Sequence, residues 1–274
     1  MGSTPEVTAS PATAADAAWL LALERAENFP VALRVLPRRH RDALRQAYSL
    51  ARRIDDAGDD PAVGVDERLA RLDALEDEVR GRYAGTRFEQ PYLDLIEANR
   101  RDQTVRRYPT YADLLAYCRL SADPIGRIVL TVFNVDDDET ARLSDLVCTA
   151  LQILEHCQDV GEDRRERDRI YLPAEDLARF GVDETDLDAS VTPRNVRQLL
   201  AFEADRADAM LTDGAAIVGR LHGWARVAVA GYAAGGRATV DAIRHADCDV
   251  LAGPPRPRAA RLLRHALPLL LGRA

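Results

Sequence analysis

The sequence contains no lysine; all 37 of its basic residues are arginine. Uniform arginine usage reads as a coding bias, although the guanidinium fork also suits phosphate oxygens. Acids outnumber bases, for a formal net charge of -8, and that balance argues against general nucleic-acid binding, which needs a clustered basic face. Cysteine is scarce and scattered: Cys118, Cys148, Cys157 and Cys248 form no CxxC pair, so neither a zinc site nor a disulfide frame is indicated. Long apolar runs are missing too, since the late stretch "ALPLLLG" is far too short to span a bilayer. The start lacks the basic-then-apolar pattern of a signal peptide, and "MGSTPE" reads as an ordinary leader despite its likeness to a myristoylation start. Buried thiols and the missing targeting signals place the expected protein in the cytoplasm.

Helical periodicity is what the sequence has in abundance. After a Pro/Ser/Thr-rich leader over 1–13, expected to be disordered, "AADAAWLLALERA" makes a first helix. "RRHRDALRQAYSLARRIDDAGDD" makes a second, and "VDERLARLDALEDEVRGRYAG" an amphipathic third. "EQPYLDLIEANRRD", "TYADLLAYCRLSA" and "DPIGRIVLTVFNV" follow, separated by Pro109 and by Pro124 with Gly126. "DETARLSDLVCTALQILEHCQDVGED" carries few charges through its middle, so a central position is expected. "RRERDRIYLP" reads as a loop, and "AEDLARF" as a short helix stopped by Gly181. Helices over roughly 193–222, 224–246 and 257–270 complete the chain, with no strand alternation and no internal repeat. The expected fold is all-α, one domain over 14–274, packed around a central core or cavity.

Charge is concentrated at two helix ends. Asp55 and Asp59 lie four apart and share one helix face, with Asp56 and Asp60 rotated beside them. Carboxylates about 6 Å apart repel by roughly 3 kcal/mol at an effective dielectric of 20, and a divalent cation reverses that sign. One such cluster alone reads as a solvated helix end. The second, "QILEHCQDVGED", places Glu155, Asp159 and Asp163 at four-residue steps with Gln152 earlier, at the end of the most apolar long helix. Arginines accompany both clusters: Arg52 and Arg53, then Arg164, Arg165, Arg167 and Arg169. Two facing acidic walls suit Mg²⁺ ions that clamp a diphosphate, with arginines on its remaining oxygens.

"YSLARRIDDAGDD" and "ALQILEHCQDVGEDRRERDRIYLPAEDLARFGV" resemble the two aspartate-rich motifs of the squalene/phytoene synthase family, the head-to-head prenyl synthases. The resemblance spans roughly residues 20 to 250 and includes "ENFPVALRVLP" and "YCRLSADPIGR". "ENFPVA" with "QDVGEDRRERDRIYLP" is most similar to the bacterial hydroxysqualene synthases of hopanoid pathways. The resemblance implies a class I isoprenoid-synthase fold with a central apolar cavity, and Mg²⁺ bound by Asp55, Asp59, Asp159 and Asp163, with Glu155 beside them. It implies diphosphate contacts from Arg52 and Tyr48, a closing segment with Arg169 and Tyr171, and Gln152 facing the reacting centre. The implied reaction ionises presqualene diphosphate and captures the cation with water. Squalene, presqualene diphosphate or phytoene synthesis, or a silent prenyl-diphosphate-binding protein, stand as alternatives. Its apolar substrate and product imply contact with the inner membrane surface or with a downstream enzyme. Two departures stand out: Glu155 replaces an asparagine common in the family, and "GGRATVDAI" lacks a tyrosine frequent in the late helix.

Several residues carry a plainer reading as well. His156 is a metal ligand or, with more weight, a packed histidine. Phe29 and Tyr117 line a prenyl cavity or are simply core. Ser121 positions the quenching water, or its hydroxyl bonds backbone at a helix break. "AAGGRA" reads as close helix packing and not as a dinucleotide site. Arg100 and Arg101 read as surface residues. A di-iron bundle is disfavoured because paired Glu-x-x-His motifs are missing from the acidic clusters.

Overall fold

A computed structural model describes residues 36–135 and 137–272. The leader, the expected helix over 14–26, nearly all of "ENFPVALRVLP" and Phe29 lie outside the described residues.

Twelve helical segments follow one another, and no strand occurs among the described residues. α1 (Arg38–Asp59) buries Leu44, Ala47, Leu50, Ala51, Ile54, Ala57 and Gly58, a single stripe at three- and four-residue spacing. Pro61 explains why α1 stops among its aspartates: the residue before a proline is pushed out of helical backbone, and Asp60 is extended at ψ 108°. α2 (Val65–Tyr83) and α3 (Glu89–Arg101) pack against α1 around a small core of Leu50, Ile54, Leu72, Tyr92 and Ile96. α4 (Tyr111–Ser121) opens with a capping box between Thr110 and Asp113. α5 (Asp123–Phe133) begins immediately after the break at Ala122.

α6 (Asp138–Arg167) runs about 45 Å and is central, as its charge-poor middle predicts, with α4, α5, α8 and α10 packed around it. Its residues Leu143, Val147, Ala150, Ile153, Leu154 and Cys157 are buried in the main core. The loop expected over 164–173 begins later, because the helix continues through the first of those arginines to Arg167. Asp168 then turns the chain in a left-handed conformation, φ 50°. Arg107 fixes that turn, donating to Asp168 Oδ1 at 2.9 Å and to Glu184 Oε1 at 2.7 Å. A lone parallel bridge between Arg107 and Ile170 pins the following segment.

α7 (Ala174–Phe180) ends at Gly181, as expected, in the left-handed region at φ 62°. The helix expected over 193–222 divides into α8 (Arg194–Gly214) and a one-turn α9 (Ile217–Arg220). At Gly214 a Cβ would press within 2.8 Å of Val147, so this end approaches α6 closely. α10 (Gly223–His245) carries "AAGGRA" in its middle, and a Cβ on Gly236 would lie within 2.7 Å of Leu151 and 2.9 Å of Leu211. Close helix packing is therefore what Gly236 serves. α11 (Ala259–Leu271) lays Leu262, Ala266 and Leu269 inward and leaves Leu263, Leu267 and Leu271 exposed. Among the described residues no helix is long and apolar enough to cross a membrane.

Candidate active site

A cavity of about 410 Å³ opens between α1, α3, α4, α5, α6 and α10. Its mouth gathers Asp55, Asp59, Asp159, Asp163 and Glu155, with Tyr48 and Arg52 one or two turns back on α1. Deeper walls are apolar, with Ile125, Val129, Leu130, Val147, Leu151 and Val229. Gln152, Tyr117, Ser121 and Tyr171 line the same space, so eleven of the thirteen residues singled out in the sequence meet in one cavity. Arg169 does not line it. That side chain is buried behind Asp59, donating to Asp59 Oδ1 at 3.0 Å and to the Asp102 carbonyl at 3.0 Å. Phe29, the thirteenth, is outside the described residues.

The first wall is held from behind by α3 and the turn that follows it. Asn99 Nδ2 donates to Asp55 Oδ1 at 3.2 Å, and Gln103 Nε2 donates to the Gly58 carbonyl at 2.9 Å. Gly58 is required there, because any Cβ would collide with the Asn99 side chain. Burial pushes the Asp55 carboxyl up to about 6, with neighbouring Asp59 and Asp56 adding to the rise and Asn99 and Arg52 opposing it. Across the mouth, burial and the Asp159 charge raise Asp163 to about 7, against the pull of Arg167 and Arg169. Asp159 is raised by burial and Glu162. Arg167 joins the two walls, 3.7 Å from Asp59 and 3.4 Å from Asp163.

Donor chemistry fits Mg²⁺. The carboxylates of the mouth are hard oxygen donors, and burial, with a smaller part from neighbouring carboxylates, disfavours the charged forms of Asp55, Asp159 and Asp163, a cost that a cation would offset. Among the described residues no three acidic, imidazole or thiol groups converge tightly enough to hold an ion alone. Magnesium suits such a split site, because it keeps waters and takes substrate phosphate oxygens beside one or two carboxylates.

Below the mouth lies an aromatic cluster. His156 stacks on Tyr171 with centroids 3.8 Å apart and planes at 9°, and Tyr117 packs against both. The packed reading of His156 is therefore the one the structure supports. Burial pushes its imidazole down to about 3, which leaves it neutral at physiological pH. Tyr117 donates to Asp102 Oδ2 at 2.7 Å. Burial raises Asp102 to about 6, with Arg169 pulling the other way. Ser121 Oγ is buried with no hydrogen-bond partner among the described residues, so its hydroxyl does not bond the backbone of the helix break.

Asn99, Asp102 and Tyr232 are cavity residues that escaped the sequence reading. Asn99 and Asp102 sit in "EANRRD" at a spacing of three, a signal hidden by the flanking surface arginines. Those arginines do face outward: Arg100 pairs with Asp73 and Glu76, and Arg101 with Glu97. Tyr232 lines the cavity from α10, one turn before the segment noted as lacking a tyrosine. Glycine and alanine surround it, so it lacked any motif.

A sequence model for squalene/phytoene synthase matches residues 23–264. The chain belongs to the squalene/phytoene synthase family. It is 34% identical over 215 residues to a hydroxysqualene synthase of Sinorhizobium fredii, covering 73% of each chain. Identity to a hydroxysqualene synthase of Rhodopseudomonas palustris is 36% over 205 residues, 69% of this chain and 70% of the relative. Among solved structures, the squalene synthase HpnC of Alicyclobacillus acidocaldarius superposes with a TM-score of 0.73 at 38% identity, over 86% of this chain and 95% of that one. The all-α class I isoprenoid-synthase fold expected from the sequence is the fold of this family, whose members act on prenyl diphosphates.

Proposed function

We propose that this chain ionises presqualene diphosphate and captures the resulting cation with water, releasing hydroxysqualene and diphosphate. The observation that carries this reading is the pair of Asp-x-x-x-Asp walls facing each other across the mouth of an apolar cavity. Similarity to hydroxysqualene synthases favours water capture over the sister activities, which make squalene, presqualene diphosphate or phytoene. The four aspartates argue against a silent binding protein.

Asp55, Asp59, Asp159 and Asp163 would hold Mg²⁺, with Glu155 at the rim. Bound there, the metal ion would offset the charge that develops on the departing diphosphate. Arg52 and Tyr48 line the approach and would take diphosphate oxygens. Arg169 acts through Asp59 and Asp102, and keeps the closing segment against the first wall. Tyr171 and Tyr117 line the cavity as part of the aromatic cluster, whose π electrons would stabilise a nearby carbocation. Apolar side chains from α5, α6 and α10 exclude bulk water until the intended capture. The hydrocarbon chains call for handover to a membrane surface or a downstream enzyme, and the exposed leucines of α11 support surface contact.

Product analysis tests the reading. Purified protein receives presqualene diphosphate or farnesyl diphosphate with Mg²⁺, with and without NADPH, and products are resolved by gas chromatography–mass spectrometry. Hydroxysqualene from presqualene diphosphate, independent of NADPH, is the expected result. Squalene formed only with NADPH, or presqualene diphosphate accumulating from farnesyl diphosphate, would move the chain to a sister activity.

A further inference from the structure

The cavity below the acidic mouth is apolar over most of its wall, yet besides Asp102 Oδ1, whose carboxyl is already held by Tyr117 and Arg169, buried polar atoms of two neutral side chains there have no hydrogen-bond partner among the described residues. One is Ser121 Oγ, at the end of α4. The other is His156 Nε2, on α6 in a side chain only 6% exposed. Neither atom makes a hydrogen bond within the described fold. His156 is fixed by stacking on Tyr171 through its ring face, which an unsubstituted aromatic ring would serve as well. Buried polar groups are nearly always satisfied by protein or by an ordered water, and leaving one unpaired is costly. A buried water needs two to four polar partners. Gln152 supplies a third on the same wall, one turn before His156 on α6.

We propose that His156 and Ser121 hold the single water that captures the carbocation, and so decide that the product is an alcohol and not a hydrocarbon. The inference rests on the water-capture reading above and assigns that step to residues. In the step, an oxygen lone pair of the water forms the new C–O bond to the cationic carbon. One water O–H breaks, and its proton passes to the diphosphate already released at the mouth. The other O–H is donated to His156 Nε2, which turns the reacting lone pair away from the ring and into the cavity. Ser121 Oγ donates to the second lone pair and keeps the water from drifting among the apolar side chains. No redox partner is consumed. Placing the polar atoms below the metal-binding rim separates the captured water from waters that would ligate Mg²⁺, so ionisation and quench use different solvent molecules.

The test is the product ratio from presqualene diphosphate and Mg²⁺ in H₂¹⁸O. Wild type is expected to give hydroxysqualene carrying one ¹⁸O. His156→Phe keeps the stacking and removes the acceptor; the share of hydroxysqualene among all products should fall about tenfold or more, replaced by elimination hydrocarbons. His156→Gln, which restores an acceptor, should recover most of that share. Ser121→Ala should lower it by a smaller factor. A folded His156→Phe protein with the wild-type share overturns the proposal. If that variant does not fold, Ser121→Ala decides by the same ratio, and an unchanged share is fatal. Wild-type protein that releases diphosphate but makes only hydrocarbon defeats the water-capture reading itself. That outcome needs no variant and is thereby told apart from the failure of the two residues.

Discussion

The two acidic walls are near copies in sequence and differ in how they are held. Asp55 and Asp59 end a helix that is gripped from behind by Asn99 of α3 and by Gln103 in the turn after it, and Asp59 is already paired with Arg169. Asp159 and Asp163 end a helix that simply runs on for another turn, and Arg167 is the cation that reaches Asp163 from that turn. One wall is therefore fixed by its neighbours. The other is braced chiefly from its own helix, through Arg167 and Asp163, and burial raises the carboxyls of both Asp55 and Asp163. The same spacing of carboxylates gives one wall braced from another segment and one braced from its own helix.

Removing one carboxylate from either wall is the severest way to break the comparison. Asp55→Asn and Asp159→Asn should each lower diphosphate release by on the order of a thousandfold while circular dichroism stays unchanged. Wild-type rates in either would remove that wall from the chemistry.

Arg169→Met separates the walls by stability. It leaves Asp59 and Asp102 without their buried cation, and urea denaturation should show a loss of about 3 to 5 kcal/mol. Arg167→Met, on the more open side, should cost much less. Equal losses would mean that both walls are held alike.

The pH dependence sharpens the contrast further. Asp55 titrates near 6 and Asp163 near 7 in the folded protein, both above the unfolded carboxylate value of about 4. The folded state thus binds more protons across that window, so metal-free protein should be most stable at its acidic end and lose stability as pH rises to about 7. Calorimetry at pH 5 and pH 8 checks the sign. Asp163→Asn and Asp55→Asn should each flatten the slope in part, the remainder coming from Asp102, Asp123 and Glu203, which burial also raises into this window. Since the proposed ligating forms are deprotonated, activity with Mg²⁺ should fall as pH drops below about 7.

Gly58→Ala gives the smallest expected effect. Its Cβ must displace Asn99, so a loss of about 1 to 3 kcal/mol is expected, with Asp55 freed from its hydrogen bond. An alanine variant with wild-type stability and kinetics would show that α3 does not set the first wall.

Much of this was legible in one dimension. Helix period is a local property, so the central α6, the stop at Gly181 and the tight passage at Gly236 could be read from spacing and residue type. Four-residue spacing also put each aspartate pair on one face before any contact was known. Boundaries were less legible where neighbours intervene, as at the split between α8 and α9. Asn99, Asp102 and Tyr232 were missed because their importance comes from partners distant in sequence.

The sequence by itself determined two acidic helix ends, an all-helical chain, and the family whose motifs they match. Tertiary packing decided which carboxylates are buried beside which cations, because desolvation and Coulomb interaction depend on distances that no spacing encodes. It placed Arg169 behind the first wall instead of in the cavity. It also left Ser121 and His156 polar and unpaired within an apolar chamber, since only the folded chain defines what is inside.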